Sequence, residues 1–167
     1  MVLTKQELIA SLQHEVRILV HLAGKVDHGK VDYRPTPKQR STLELLRYMS
    51  VMGTRLAHDA KAGAFNVDEW QKALAAADAR DLDQTVAAID AQAPMFEEVL
   101  ESIPDAAFRE EVTFFGSTRS RGSFLVNVVL SGYAAYRTQL FNYLKACGRE
   151  ELTTMNLWAG MLSLIHI

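Results

Sequence analysis

Residues 122 to 145, GSFLVNVVLSGYAAYRTQLFNYLK, decide the fold, because they are the longest uninterrupted apolar-periodic run in the chain. Leu125, Val129, Gly132, Tyr136, Leu140 and Tyr143 follow one another at steps of three or four, which sets them on one helical stripe. Val126, Leu130, Tyr133 and Phe141 form a second stripe. Together they widen the apolar arc to roughly half the cylinder, more than one neighbouring helix requires. Such a helix belongs at the centre of a helical assembly. Asn127, Ser131, Thr138, Asn142 and Lys145 give it a polar seam, and Gly148, just past Cys147, supplies a C-terminal cap.

Outward from this helix, the other rods announce their own starts. Thr4 and Glu7 form a capping box that opens a helix running to about Gly24, with Leu8, Leu12, Glu15, Leu19, Leu22 and Val26 close to one line. Glu15 interrupts that stripe. A carboxylate there either tips to the edge and meets water or an arginine, or serves as a pocket carboxylate, since an unpaired buried charge is strongly unfavourable. His14 and His21 stand seven apart, well round from the stripe and too distant to share a metal, so both read as surface histidines. After a connection with Pro35 and Pro37, Ser41 and Glu44 open a second long helix with Leu45, Met49, Met52, Leu56 and Ala60 inward and a stop near Gly63. Tyr48 lies on the flank of that face with Arg55 two turns on, and His58 points away.

Asn66 and Glu69 start a short extra helix carrying Trp70 and Leu74. Asp81 and Gln84 start another long one, on which Leu82, Val86, Ile89, Ala93, Phe96, Leu100 and Ile103 alternate by four and three. Pro94 falls inside this run and predicts a kink near Ala91. From Pro104 to Arg121 there is no sustained period, which predicts a loop pinned by Val112, Phe114 and Phe115 against the bundle end. The fold class is therefore all-α: a four-helix bundle over residues 1 to 161, with a short extra helix and a C-terminal tail that packs across it. Residues 162 to 167, LSLIHI, match neither the composition nor the periods before them and are expected to be a non-native or disordered tail, so His166 carries no functional weight.

Composition narrows the function by exclusion. The 167 residues carry 18 basic and 20 acidic side chains, a net charge of −2, without the basic face that nucleic acid requires. Arg119 and Arg121 form the one local basic cluster, beside a helix start. The single cysteine, Cys147, excludes an intramolecular disulfide framework and fits a reducing compartment. It sits at the negative end of a helix, which disfavours a thiolate nucleophile. The first residues, MVLTKQEL, lack the apolar core of a signal peptide, and Asn127 and Ser131 break the longest apolar run, so a soluble cytoplasmic protein without membrane contact is expected. Serine–histidine–acid order, phosphate-binding glycine loops and cysteine–histidine zinc spacings are absent.

Ser41-Thr42-Leu43-Glu44-Leu45-Leu46-Arg47-Tyr48, and Tyr136-Arg137-Thr138-Gln139-Leu140 followed by Tyr143-Leu144 and Gly148, carry a resemblance. Over about residues 4 to 148 the order of parts resembles the DinB-like superfamily of four-helix bundles, which includes metal-dependent thiol transferases and maleylpyruvate isomerase. Its members tend to show a Ser-x-x-Glu-Leu-Leu-x-His start and a His-Arg-Gly-Gln-Leu-x-x-Tyr-Leu finish. The resemblance implies a metal site with one histidine from the second long helix and two from the last. Those positions fall on Tyr48, Gly132 and Tyr136. None is a histidine, so neither a metal nor another cofactor is expected, a phenol being a poor divalent ligand near neutrality. If Tyr48, Tyr133 and Tyr136 face the vacated position, with Glu15 beside them and Gly132 leaving room, they form a small-molecule pocket of rings and hydroxyls. Three functions follow: a metal-free small-molecule-binding protein or homodimer, the dimer motivated by the broad arc of the last helix; a metal-dependent, glutathione-like thiol transferase or isomerase; and a structural protein whose pocket is filled.

Overall fold

A computed structural model describes residues 3 to 161; the expectation for residues 162 to 167 lies outside them. Four rods make the bundle: α1 (Lys5–Ala23), α2 (Thr42–Ala62), the consecutive pair α4 (Leu82–Asp90) and α5 (Gln92–Glu101), and a final rod. That last rod comprises α6 (Arg121–Phe124), a π-helical segment (Leu125–Leu130) and α7 (Ser131–Ala146). Between α2 and α4 lies the short α3 (Val67–Asp78), and α8 (Thr154–Ala159) ends the described chain. α1 packs between α4/α5 and α7, and α2 closes the square from the other side. Thr4, Ser41 and Asp81 each close a capping box with the residue three positions on, so local chemistry sets three of the four rod starts. The α4/α5 rod is interrupted at Ala91 alone, which keeps right-handed helical dihedrals (φ −60°, ψ −14°), a kink rather than a separation of two rods; Pro94 has no N–H for the ladder and crowds the carbonyl four residues back.

The expectation of a plain loop over 104 to 121 is corrected. A 3-10 turn (Asp105–Arg109) leads into an antiparallel hairpin, β1 (Glu111–Phe114) and β2 (Ser117–Ser120), with Phe114 opposite Ser117. Phe115 at φ 52° and Gly116 at φ 74° supply the two left-handed residues of a tight hairpin turn. Phe115 holds that conformation without glycine's freedom, and its ring stays 66% exposed. Val112 and Phe114 anchor the hairpin inward, Phe114 stacking on Phe124 at 4.3 Å.

The stripe of the last rod is also corrected. The N–H of Ser131 reaches the carbonyl of Val126, five residues back, and the Ser131 hydroxyl donates to the same oxygen at 3.0 Å. This π-helical turn adds one residue to the repeat. The buried line accordingly runs Leu125, Val129, Tyr133, Arg137, Leu140, Leu144, with Tyr143 beside it, rather than through Gly132 and Tyr136. Val126, Leu130 and Phe141, the flank that suggested a second copy, are half-buried against this chain's own core. His21 is corrected too: it lies half-buried under α8, with Nε2 3.0 Å from Asn156 Nδ2, and burial followed by the charge of Lys25 lowers its pKa.

Candidate functional site

The five residues singled out in the sequence fall into two separate groups. Tyr48 on α2 and Tyr136 on α7 meet, their rings 5.2 Å apart and nearly perpendicular at 70°, a favourable edge-to-face arrangement. Gly132, one turn before Tyr136, leaves no open room. A Cβ there would come within 3.1 Å of Met52 Cε, so the Met52 thioether fills the space that a side chain at 132 would take.

Tyr133 and Glu15 are not in that cluster, which corrects the expectation of a three-phenol pocket with a carboxylate. Tyr133 crosses the bundle centre, fully buried, and its hydroxyl donates to Gln92 Oε1 on α5 at 2.7 Å. Gln92 in turn donates to the Met49 carbonyl at 3.1 Å, so the buried polar atoms are satisfied. Gly53 admits the ring: a Cβ there would lie 2.2 Å from the Tyr133 hydroxyl. Burial, and then the Glu15 carboxylate, push the Tyr133 phenol far above its ordinary range. Glu15 pairs with Arg137, Nε to Oε2 at 2.5 Å and Nη2 to Oε1 at 3.2 Å, both side chains nearly buried. The same guanidinium donates to the Leu157 carbonyl of α8 and lies 5.5 Å from the Trp158 ring centroid. Glu15 is thus a structural ion pair between α1 and α7.

Around Tyr48 and Tyr136 the structure adds residues that the sequence did not single out for the site. Trp70 of α3 stands edge-on to Tyr48 at 6.1 Å, Phe65 touches Trp70 at 5.6 Å, and Phe115 of the hairpin touches Phe65 at 5.2 Å. Arg40, the residue before the α2 cap, lays its guanidinium 4.1 Å from the Tyr48 ring centroid while its side chain stays exposed. Its carbonyl accepts from the Tyr143 hydroxyl at 3.1 Å, which fixes the backbone there. No periodicity could have flagged Arg40, since it precedes the helix; its place before a capping serine beside a flanking tyrosine was the only signal. Further along the Tyr48 flank, Arg55 pairs with the fully buried Asp59 at 2.8 Å.

A divalent ion does not fit this donor set. Burial first, then the neighbouring Tyr136, pushes the Tyr48 phenol up to about 12, away from the phenolate a metal would need. Among the described residues no three histidine, cysteine, aspartate or glutamate side chains gather as a ligand set. Four surface depressions of about 390 to 570 Å³ open elsewhere, and none of these is lined by Tyr48, Tyr133 or Tyr136.

The helix order defines an all-α bundle of DinB-like fold. The chain is similar to a crystal structure of YjoA, a DinB-like protein from Bacillus subtilis, at a TM-score of 0.68 and 17% identity, covering 87% of this chain and 94% of that one. No protein-family model matches the sequence, and no curated protein matches it. Among the described residues no helix is long and apolar enough to cross a membrane.

The raised Tyr48 pKa has a consequence at alkaline pH. The unfolded chain releases the Tyr48 proton near pH 10 while the native state holds it to about 12. Its contribution to stability is therefore complete below pH 10 and is lost as pH rises toward 12. In chemical denaturation across that interval, Tyr48→Phe is expected to lose less stability than the native chain; parallel losses would contradict the assigned environment.

Proposed function

We infer that this chain is a metal-free binding protein, in which the old metal position has become an aromatic patch for a small planar or cationic group. One observation carries this: the Arg40 guanidinium on the face of Tyr48, 4.1 Å from the ring centroid, occupies the place such a group would take. Cations rest on tyrosine and tryptophan faces by attraction to the ring quadrupole, and Trp70 and Tyr136 flank the same ring. Arg40 is exposed, so its displacement from the ring would uncover no core, and it stands as an internal competitor for the site. The readings as a thiol transferase or isomerase find no donor set at this position, and the single cysteine, Cys147, supports a reducing compartment such as the cytoplasm.

Methylguanidine and tetramethylammonium, titrated by calorimetry, test the patch. Arg40→Ala is expected to bind about two- to five-fold more tightly than the native chain, the exposed cation–π interaction being about 0.5 to 1 kcal/mol, and Tyr48→Ala to lose binding. Absence of binding to Arg40→Ala would leave the phenols as packing and favour the structural reading.

Self-association is a second reading, favoured by Phe115, whose ring lies against Phe65 and yet stays 66% exposed. Light scattering is expected to give a dimer that Phe115→Ser dissociates. A native monomer at high concentration would exclude it.

A further inference from the structure

Apart from the aromatic patch, a cleft of about 570 Å³ opens between the start of α1, the 3-10 turn at Asp105–Arg109 and the π-helical segment. This falls within the size range of small-molecule sites, about 300 to 1,000 Å³. Leu3, Leu8, Phe108 and Val126 give it an apolar interior. The wall is fixed: a Cβ at Gly122 would lie 3.2 Å from the Phe108 carbonyl, so α6 and the 3-10 turn meet backbone to backbone. The π-helical turn contributes Val126 and Asn127 to the same wall, and π-bulges recur at functional sites.

The polar groups lining the cleft decide what it can hold. The Thr4 hydroxyl bonds Glu7, Gln6 reaches Glu101, and Ser120 caps Ser123. Asn127 donates to the carbonyl and hydroxyl of Ser123, at 2.9 and 3.0 Å. Lys5 is held by Asp105 at 2.9 Å and by Glu101 at 3.8 Å. Arg109 differs. It is exposed at the rim and, among the described residues, has neither a carboxylate partner nor a side-chain hydrogen bond. A ligand here finds apolar walls, polar neighbours already satisfied and one uncommitted guanidinium.

We propose that this cleft binds a single-chain acyl carboxylate as a free monomer, its chain on Leu3, Leu8, Phe108 and Val126 and its carboxylate on Arg109. With Lys5 held by Asp105 and Glu101, Arg109 is the lining cation left to meet a head group, which favours an anionic one. The proposal rests on no part of the Tyr48 reading and shares no residue with it.

Decanoate and decanol, below their aggregation limits, are titrated by calorimetry against the full chain and two variants. The native chain is expected to bind decanoate saturably. Arg109→Gln, at an exposed position, is expected to weaken decanoate about two- to five-fold while leaving decanol unchanged, the loss of one solvent-exposed ion pair. Val126→Trp, which fills the cleft, is expected to abolish both, with circular dichroism checking that it folds. Failure of the native chain to bind decanoate, equal affinity for decanoate in Arg109→Gln, or unaltered binding in a folded Val126→Trp would each overturn the proposal. Co-sedimentation with phosphatidylglycerol vesicles in the absence of decanoate binding would overturn it in favour of a membrane lipid.

Discussion

The ion pair between Glu15 and Arg137 fixes the rotation of the last rod, and most of what is distinctive in this bundle follows from that rotation. Two charged side chains lie nearly buried at the α1–α7 interface, bound by two hydrogen bonds. Such a pair tolerates little displacement, because separating the charges inside the bundle leaves each without solvent or partner. Arg137 can face α1 only because the π-helical turn upstream advances the repeat by one residue. It also carries α8, through the Leu157 carbonyl and the Trp158 ring, so one guanidinium ties three helices together.

With Arg137 turned inward, Tyr133 lies one turn earlier on the same line and crosses the core to Gln92. Tyr136 and Gly132 are left on the edge facing α2, where Tyr48 and Met52 meet them. The two groups of tyrosines therefore do different work. Tyr133 belongs to a closed polar network spanning the centre, possible only because Gly53 has no side chain. Tyr48 and Tyr136 sit at a half-buried edge bordered by Trp70 and Arg40, where rings are within reach of something outside the chain.

The parts of this architecture governed by local chemistry were readable in advance. The capping boxes at Thr4, Ser41 and Asp81, the glycine caps at Gly63 and Gly148 with positive φ, and the kink at Ala91 ahead of Pro94 all depend on residues within a few positions of one another. The meeting of Tyr48 and Tyr136 followed from the DinB-like order of parts. What escaped depends on distant partners. A π-helical turn leaves the composition of the stripe almost unchanged while moving it by one residue, so Tyr133 and Arg137 exchanged roles with Gly132 and Tyr136. Arginine is rarely buried unless paired, and its partner lies 122 positions away. The hairpin turns on Phe115 and Gly116, a pair that lacks the asparagine or aspartate usual at such turns. Arg40 lies outside any helix and gains its meaning only from the ring beneath it.

A double-mutant cycle on Glu15 and Arg137, read by chemical denaturation, tests the central claim most directly. If the pair fixes the rod, Glu15→Leu and Arg137→Met should each destabilise by about 3 to 5 kcal/mol, and the double variant should recover most of that loss, since an apolar pair leaves no charge stranded. Single variants within about 1 kcal/mol of the native chain, or losses that simply add, would contradict a buried pair at this interface.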